Sequence, residues 1–144
     1  MMEPRTTCNS ALFILRLVLG VIMFAHGAQK VLGIWGGYGM NETVKFFQET
    51  WGIPPVLTYL SMAAEFLGGI GLIVGLLGRV ASLGIAVNMA VAIALAHWNN
   101  GFFNDKQGFE FPLALLAMAL ALLLTGMGVY SLDAMLVKKK KAPV

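Results

Sequence analysis

The sequence predicts an all-α protein: a four-helix transmembrane bundle with a short amphipathic interfacial helix between helices one and two. Three observations carry this. Of the 144 residues, 58% are apolar and only 12% are charged, whereas an average soluble domain has roughly 25% charged residues. Four apolar stretches of about 19 to 23 residues can be cut from the chain. A helix rising about 1.5 Å per residue needs roughly 20 residues to cross the hydrocarbon core, so each is long enough. The connections between them are short, which makes consecutive helices antiparallel neighbours. A soluble fold of this size buries only about two-thirds of the surface its unfolded chain exposes, too little to hide so much apolar area. Disorder is excluded by the same hydrophobicity.

The first stretch, 11–33, contains Arg16 and His26, and the second, 56–77, contains Glu65. The third, 80–98, contains Asn88 and His97, and the fourth, 109–130, has Glu110 at its start. Gly78-Arg79 reads as the tight turn between the second and third, and 99–108 as a polar loop. Within the longest connection, 34–55, Met40, Val44, Phe47 and Trp51 fall at i, i+4, i+7 and i+11 and share one helical face. Glu42, Lys45, Gln48 and Glu49 turn away from it. Asn41 is placed to cap this helix, and Gly52 with Pro54-Pro55 to end it. Such a helix lies on the membrane surface or, equally, packs over the mouth of the bundle. The whole of 1–144 reads as one membrane domain ending in a basic tail, 138–144.

Basic residues in the short flanks set orientation. Arg5, Arg79 and Lys138 to Lys141 fall on one side, and Lys30, Lys45 and Lys106 on the other. Both termini are therefore expected in the cytoplasm of a bacterial inner membrane, with Trp35, Trp51 and Trp98 at the opposite surface. A small-residue site at Ala25-His26-Gly27 offers signal-peptide cleavage as the competing reading, and Arg16 inside the apolar region argues against it. The net charge of +3 comes largely from the lysine run, which suits anionic lipid headgroups. No nucleic-acid partner is expected. The single cysteine, Cys8, excludes an internal disulfide and a cysteine metal cluster. No CxxC, GxGxxG or P-loop pattern is present.

Ionisable groups within apolar spans cost about 2.5–3.5 kcal/mol each at mid-helix, so they call for partners or a function. Counting depth along the helices gathers His26, Glu65, His97 and Glu110, one per helix, in the outer half. With Gln29 they predict a polar pocket whose imidazoles and carboxylates exchange protons, as quinone chemistry requires. Glu65, His97 and His26 are the candidate catalytic residues, and Gln29, Glu110 and Arg16 the candidate substrate-binding ones. His26 and His97 also offer ligands to a haem, or to a metal together with the glutamates. The structural alternative has Arg16 reach down the bundle to pair with Glu65 and fix helix register. On the fourth helix, Glu110, Ala114, Ala117, Ala121 and Thr125 share an arc of small residues that reads as its packing face. Asn88 and His97, nine residues apart, fall about 180° around their helix and are not expected to face one site.

The order of these pieces resembles the DoxX family of small bacterial membrane proteins. The resemblance is carried by Arg16-Leu17-Val18-Leu19-Gly20, His26-Gly27-Ala28-Gln29-Lys30 and Glu65-Phe66-Leu67-Gly68-Gly69. It continues through Gly75-Leu76-Leu77-Gly78-Arg79, His97, Gly108-Phe109-Glu110 and Ser131-Leu132-Asp133. The resemblance implies a four-helix inner-membrane protein acting as an oxidoreductase or quinol-oxidase subunit. The expected partners are the lipid bilayer, a quinone and a partner redox protein, with a second copy of the chain as a further candidate. The alternative is a non-catalytic scaffold or assembly protein for a redox or stress-response complex.

Overall fold

In an apolar solvent a backbone must satisfy its own hydrogen bonds, and a helix does so within one segment. A computed structural model describes residues 4–141, with side chains placed for 6–137. The expected contact of the lysine tail with lipid therefore lies outside the described residues. Among these there are no strands. The helices are α1 (Pro4–Leu32), α2 (Gly39–Trp51), α3 (Pro55–Val74), α4 (Gly78–Ala92), α5 (Glu110–Thr125) and α6 (Leu132–Lys141). α4 runs on through a π-helical turn, Ile93–His97, and a 3-10 turn, Trp98–Asn100.

Three helical segments are long and apolar enough to cross a membrane: Thr6–Leu32, Pro55–Val74 and Gly78–Asn100. α5 is shorter, with 16 residues instead of the 22 expected. Gly126, at φ +82°, leaves the helical region and ends it. At about 1.5 Å per residue α5 spans about 24 Å, less than the roughly 30 Å hydrocarbon core. The α3–α4 turn lies at Gly75 to Leu77, just before the expected Gly78-Arg79.

α1 packs on α3, α3 on α4, α4 on α5, and α5 closes on α1. Leu19, Met23, Leu72, Ile85, Leu115 and Leu122 fill the space between them. The closest crossing joins α1 to α3. A Cβ on Gly27 would fall on the Phe66 backbone, and one on Gly69 on the Phe24 backbone. Two backbones in direct contact leave no room for side chains, and small residues are how membrane helices achieve this. Outward faces carry Ile14, Val18, Leu67, Val80, Leu83 and Leu124, all exposed and all apolar. Such faces suit lipid.

The packing face of α5 differs from expectation. Its buried residues are Pro112, Leu115, Ala119 and Leu122, while Ala114 and Ala117 are exposed. The larger leucines gain more by burial than the alanines do, and the core here is filled by side chains instead of closed by backbone contact. α2 forms where its apolar stripe predicts and packs on α1 and α3. Its stop is as expected: Gly52, at φ +65°, donates to the Gln48 carbonyl, and the Ile53 N–H to the Phe47 carbonyl. Asn41 does not cap it, since the helix already begins at Gly39.

At the end where α3 turns into α4, polar groups lock the chain. The buried Arg16 guanidinium donates to the carbonyls of Leu72 (3.2 Å) and Tyr130. Asp133 accepts from the backbone N–H groups of Leu77 and Gly78, each at 2.9 Å, and so caps α4 from 55 residues away. The expected Arg16–Glu65 pair is absent, and the guanidinium is taken up by the Leu72 carbonyl in the last turn of α3 and the Tyr130 carbonyl just before α6. Gly69→Leu should destabilise the protein by about 1–3 kcal/mol or more through overpacking. The control Leu67→Ala, at an exposed site, should change thermal unfolding in detergent little.

Candidate functional site

At the opposite end the helices splay, and a cavity of about 740 Å³ opens between α2, α3 and α4. Glu65 stands in its wall on α3 and is 2% exposed. Lys30, in the last turn of α1, donates to Glu65 Oε1 at 2.6 Å. Asn88 of α4 donates its Nδ2–H to the same oxygen at 2.8 Å. Ser61, one turn before Glu65 on α3, donates its hydroxyl to Asn88 Oδ1 at 2.7 Å. Glu65 Oε1 is thus held by an ammonium and an amide, while buried Oε2 has no partner. A charged or polar buried atom without a hydrogen bond is costly, and such exceptions mark places where a ligand is expected.

Apart from Tyr38, Thr43 and His97, the remaining lining is apolar. Phe46, Phe47 and Trp51 come from α2, with Leu57, Leu60, Val91 and Leu95 from the facing helices. Lys30 Nζ lies 5.7 Å from the Phe47 ring centroid, a cation–π contact that ties α2 to the ion pair. Thr43, buried on α2, donates to the Gly39 carbonyl at 2.7 Å and reaches the Lys30 carbonyl at 3.5 Å.

His97 lines the same cavity as Asn88, contrary to the separation expected from a regular helix. The π-helical turn supplies the reason. One inserted residue turns everything after it by about 100°, which cuts the offset from about 180° to about 80°. His97 Nδ1 donates to the Gln107 carbonyl at 2.7 Å. That bond fixes the tautomer and leaves Nε2 as an acceptor.

The other expected site residues stand elsewhere. His26 is exposed, its ring 6.2 Å from that of Phe111. Gln29 donates to the Trp35 carbonyl at 3.1 Å and steadies the connection into α2. Glu110 accepts from the Asn104 N–H at 2.6 Å and closes the loop before α5. Arg16 is at the far end. None of these four lines the cavity. The depth count placed His26, Gln29 and Glu110 with Glu65 but ignored direction around the helix, and all three meet nearby backbone groups or rings instead. Among the described residues no group of three or more histidine, cysteine or acidic side chains is arranged to hold a metal.

Sequence reasoning missed Lys30 as the partner of Glu65 and did not assign Ser61 or Asn88 to the site. The available signal was the length of lysine, whose stem carries its charge well below its own Cα. Asn88→Leu should remove a donor from Glu65 and leave the Ser61 hydroxyl without its acceptor. The expected loss is about 1–3 kcal/mol in detergent unfolding, and Ser61→Ala should cost less.

Comparison with known proteins agrees with this architecture. The DoxX family model matches residues 11–98, which covers Lys30, Ser61, Glu65, Asn88 and His97. The chain is 31% identical over 128 residues to "Putative oxidoreductase CatD" of Bacillus subtilis, covering 89% of this chain and 88% of that one. It is 27% identical over 124 residues to "Inner membrane protein YqjF" of Escherichia coli, covering 86% and 90% respectively. An uncharacterized protein of Haemophilus influenzae is 28% identical over 131 residues, covering 89% and 84%. No solved structure matches the chain.

Proposed function

The chain belongs to the DoxX family of membrane proteins, and from that premise we propose that it is an inner-membrane subunit of a quinone-linked redox system. The buried Glu65 oxygen without a partner, in the wall of a large apolar cavity, is the observation that carries this reading. The names of the Bacillus and Escherichia relatives, an oxidoreductase and an inner membrane protein, agree with it.

In this reading α1, α3, α4 and α5 form a four-helix transmembrane bundle, and α2 lies at the interface with its charged face outward. Arg79 and the lysine run share the α3–α4 turn end, which supports a cytoplasmic location for both termini. The cavity then opens in the outer half of the membrane.

The residues present fit a quinone. A flat ring with an apolar body suits aromatic and aliphatic walls, and its oxygens suit a small set of convergent polar groups. When bound, a quinone supplies interconversion with its quinol by two electrons and two protons. Neither a carboxylate nor an imidazole changes oxidation state, so the electrons belong to a partner redox protein. Glu65 Oε1 is fixed by Lys30 and Asn88, while buried Oε2, without a partner, is the oxygen left to hold or release a proton. Lys30 balances the carboxylate's charge, and Ser61 orients Asn88. His97 Nε2, with its other nitrogen committed to Gln107, is a second proton-exchanging atom on the same cavity wall. In this reading proton exchange rests with Glu65 and His97, positioned by Lys30, Asn88 and Ser61, and Gln29, Glu110, Arg16 and His26 take no part in it.

Trp51 lines the cavity and reports on it. Benzoquinone should quench tryptophan fluorescence of the purified protein saturably, and Trp51→Phe should remove most of that quenching. Glu65→Gln should weaken binding of the quinol form, whose O–H donates to the carboxylate, about tenfold or more, as expected when a charge-assisted hydrogen bond worth roughly 1.5–3 kcal/mol is lost. Unsaturable quenching, or equal quinol affinity in Glu65→Gln, would count against the proposal.

A further inference from the structure

The cavity is open along one side. Its walls carry Leu57 and Leu60 on α3 and Val87, Val91 and Leu95 on α4. All five are between 44% and 61% exposed, although they line the same space as buried Glu65. Leu57, Leu60 and Ala64 recur at helical spacing and form one stripe, as do Gly84, Val87, Val91 and Leu95. Three polar groups of the site follow a stripe residue directly in sequence: Leu60-Ser61, Ala64-Glu65 and Val87-Asn88. The crevice therefore has an apolar rim and a polar floor. It ends where a Cβ on Gly84 would stand 3.4 Å from the Ala64 Cβ, so that the helices close there on small residues. The side toward α2 is covered by aromatic rings, those of Phe46, Phe47 and Trp51.

From this juxtaposition we infer that the crevice between α3 and α4 is a lateral portal to the bilayer. Its ligand is membrane-dissolved, with a long apolar chain lying between the two stripes and a polar head at Glu65. The inference rests on the quinone reading of the cavity and adds the chemistry of the tail, an isoprenoid or alkyl chain. An aqueous entrance would need a polar rim to stay wetted, whereas this rim is aliphatic and matches lipid. A chain laid along it leaves water-free contact on both sides, and each buried methylene adds to affinity.

Two measurements on the full-length protein in lipid nanodiscs test this. In a Cys8→Ser background, a spin label at Val87→Cys should collide with dissolved oxygen at least fivefold more than with a water-soluble nickel chelate. Val91→Cys serves as a second position should the first fail to fold. A ratio near one, or its reverse, overturns the portal. In the second measurement, a decyl-chain benzoquinone, corrected for partition into lipid, should bind at least tenfold more tightly than tailless benzoquinone. Leu60→Phe combined with Val87→Phe should bring the affinity ratio of the decyl to the tailless compound from tenfold or more to near one, and an unchanged ratio overturns the tail assignment. Equal affinity of the two compounds in the unsubstituted protein overturns the tail assignment but leaves the head-group site standing. Failure of both to bind overturns the quinone reading, and head and tail fall together.

Discussion

A carboxylate held at 2% exposure between apolar helices is the constraint around which this end of the molecule is arranged. Ionised and alone, Glu65 would carry a penalty of several kcal/mol. The fold answers with Lys30 at 2.6 Å and Asn88 at 2.8 Å on one oxygen. These contacts draw in four helices. α1 contributes the lysine, α4 the asparagine, α3 the glutamate and the supporting serine, and α2 the Phe47 ring beside the ammonium. The pair is asymmetric: the Lys30 side chain is 27% exposed and the Glu65 side chain 3%. Part of the lysine's solvation survives, while the glutamate depends almost wholly on its protein partners.

The two ends of the helices do different work. At the α3–α4 turn, Arg16 and Asp133 satisfy backbone carbonyls and N–H groups that the helix ends leave open. Gly27 and Gly69 bring α1 and α3 into backbone contact between the two ends, Gly27 against Phe66 beside Glu65. Toward α2 the helices part, the π-helical turn rotates His97 to the cavity, and an oxygen of Glu65 stays without a partner. The departure from regular helix geometry at the π-helical turn falls where a site is expected.

Most of the fold was legible because it follows from periodicity and length. The apolar stretches, the Met40–Trp51 stripe and the Gly52 stop are local patterns, and the helices appear where they place them. The candidate site was legible only in part. Glu65 and His97 stood out as polar groups in apolar helices, and both line the cavity. His26 looked equivalent by depth but faces outward, since depth alone does not fix direction around a helix. The Asn88–His97 neighbourhood depends on a single inserted residue in the helical turn, which has no sequence signature of its own. Arg16 turned to the carbonyls of Leu72 and Tyr130, and α5 buried the face of Leu115, Ala119 and Leu122 in place of that of Ala114 and Ala117. These choices are made by tertiary packing, where sequence spacing is silent.

The central claim is that Glu65 and Lys30 act as one unit. A double-mutant cycle of Lys30→Met and Glu65→Gln, read by reversible unfolding in detergent, tests it most directly. Each single variant should lose about 2–4 kcal/mol, somewhat under the ~3–5 kcal/mol of a fully buried pair because Lys30 remains partly solvated. The double variant should fall short of their sum by at least about 1.5 kcal/mol, within the range found for contacting residues. Losses that add to within about 0.5 kcal/mol would mean the two side chains do not interact, and would contradict this account.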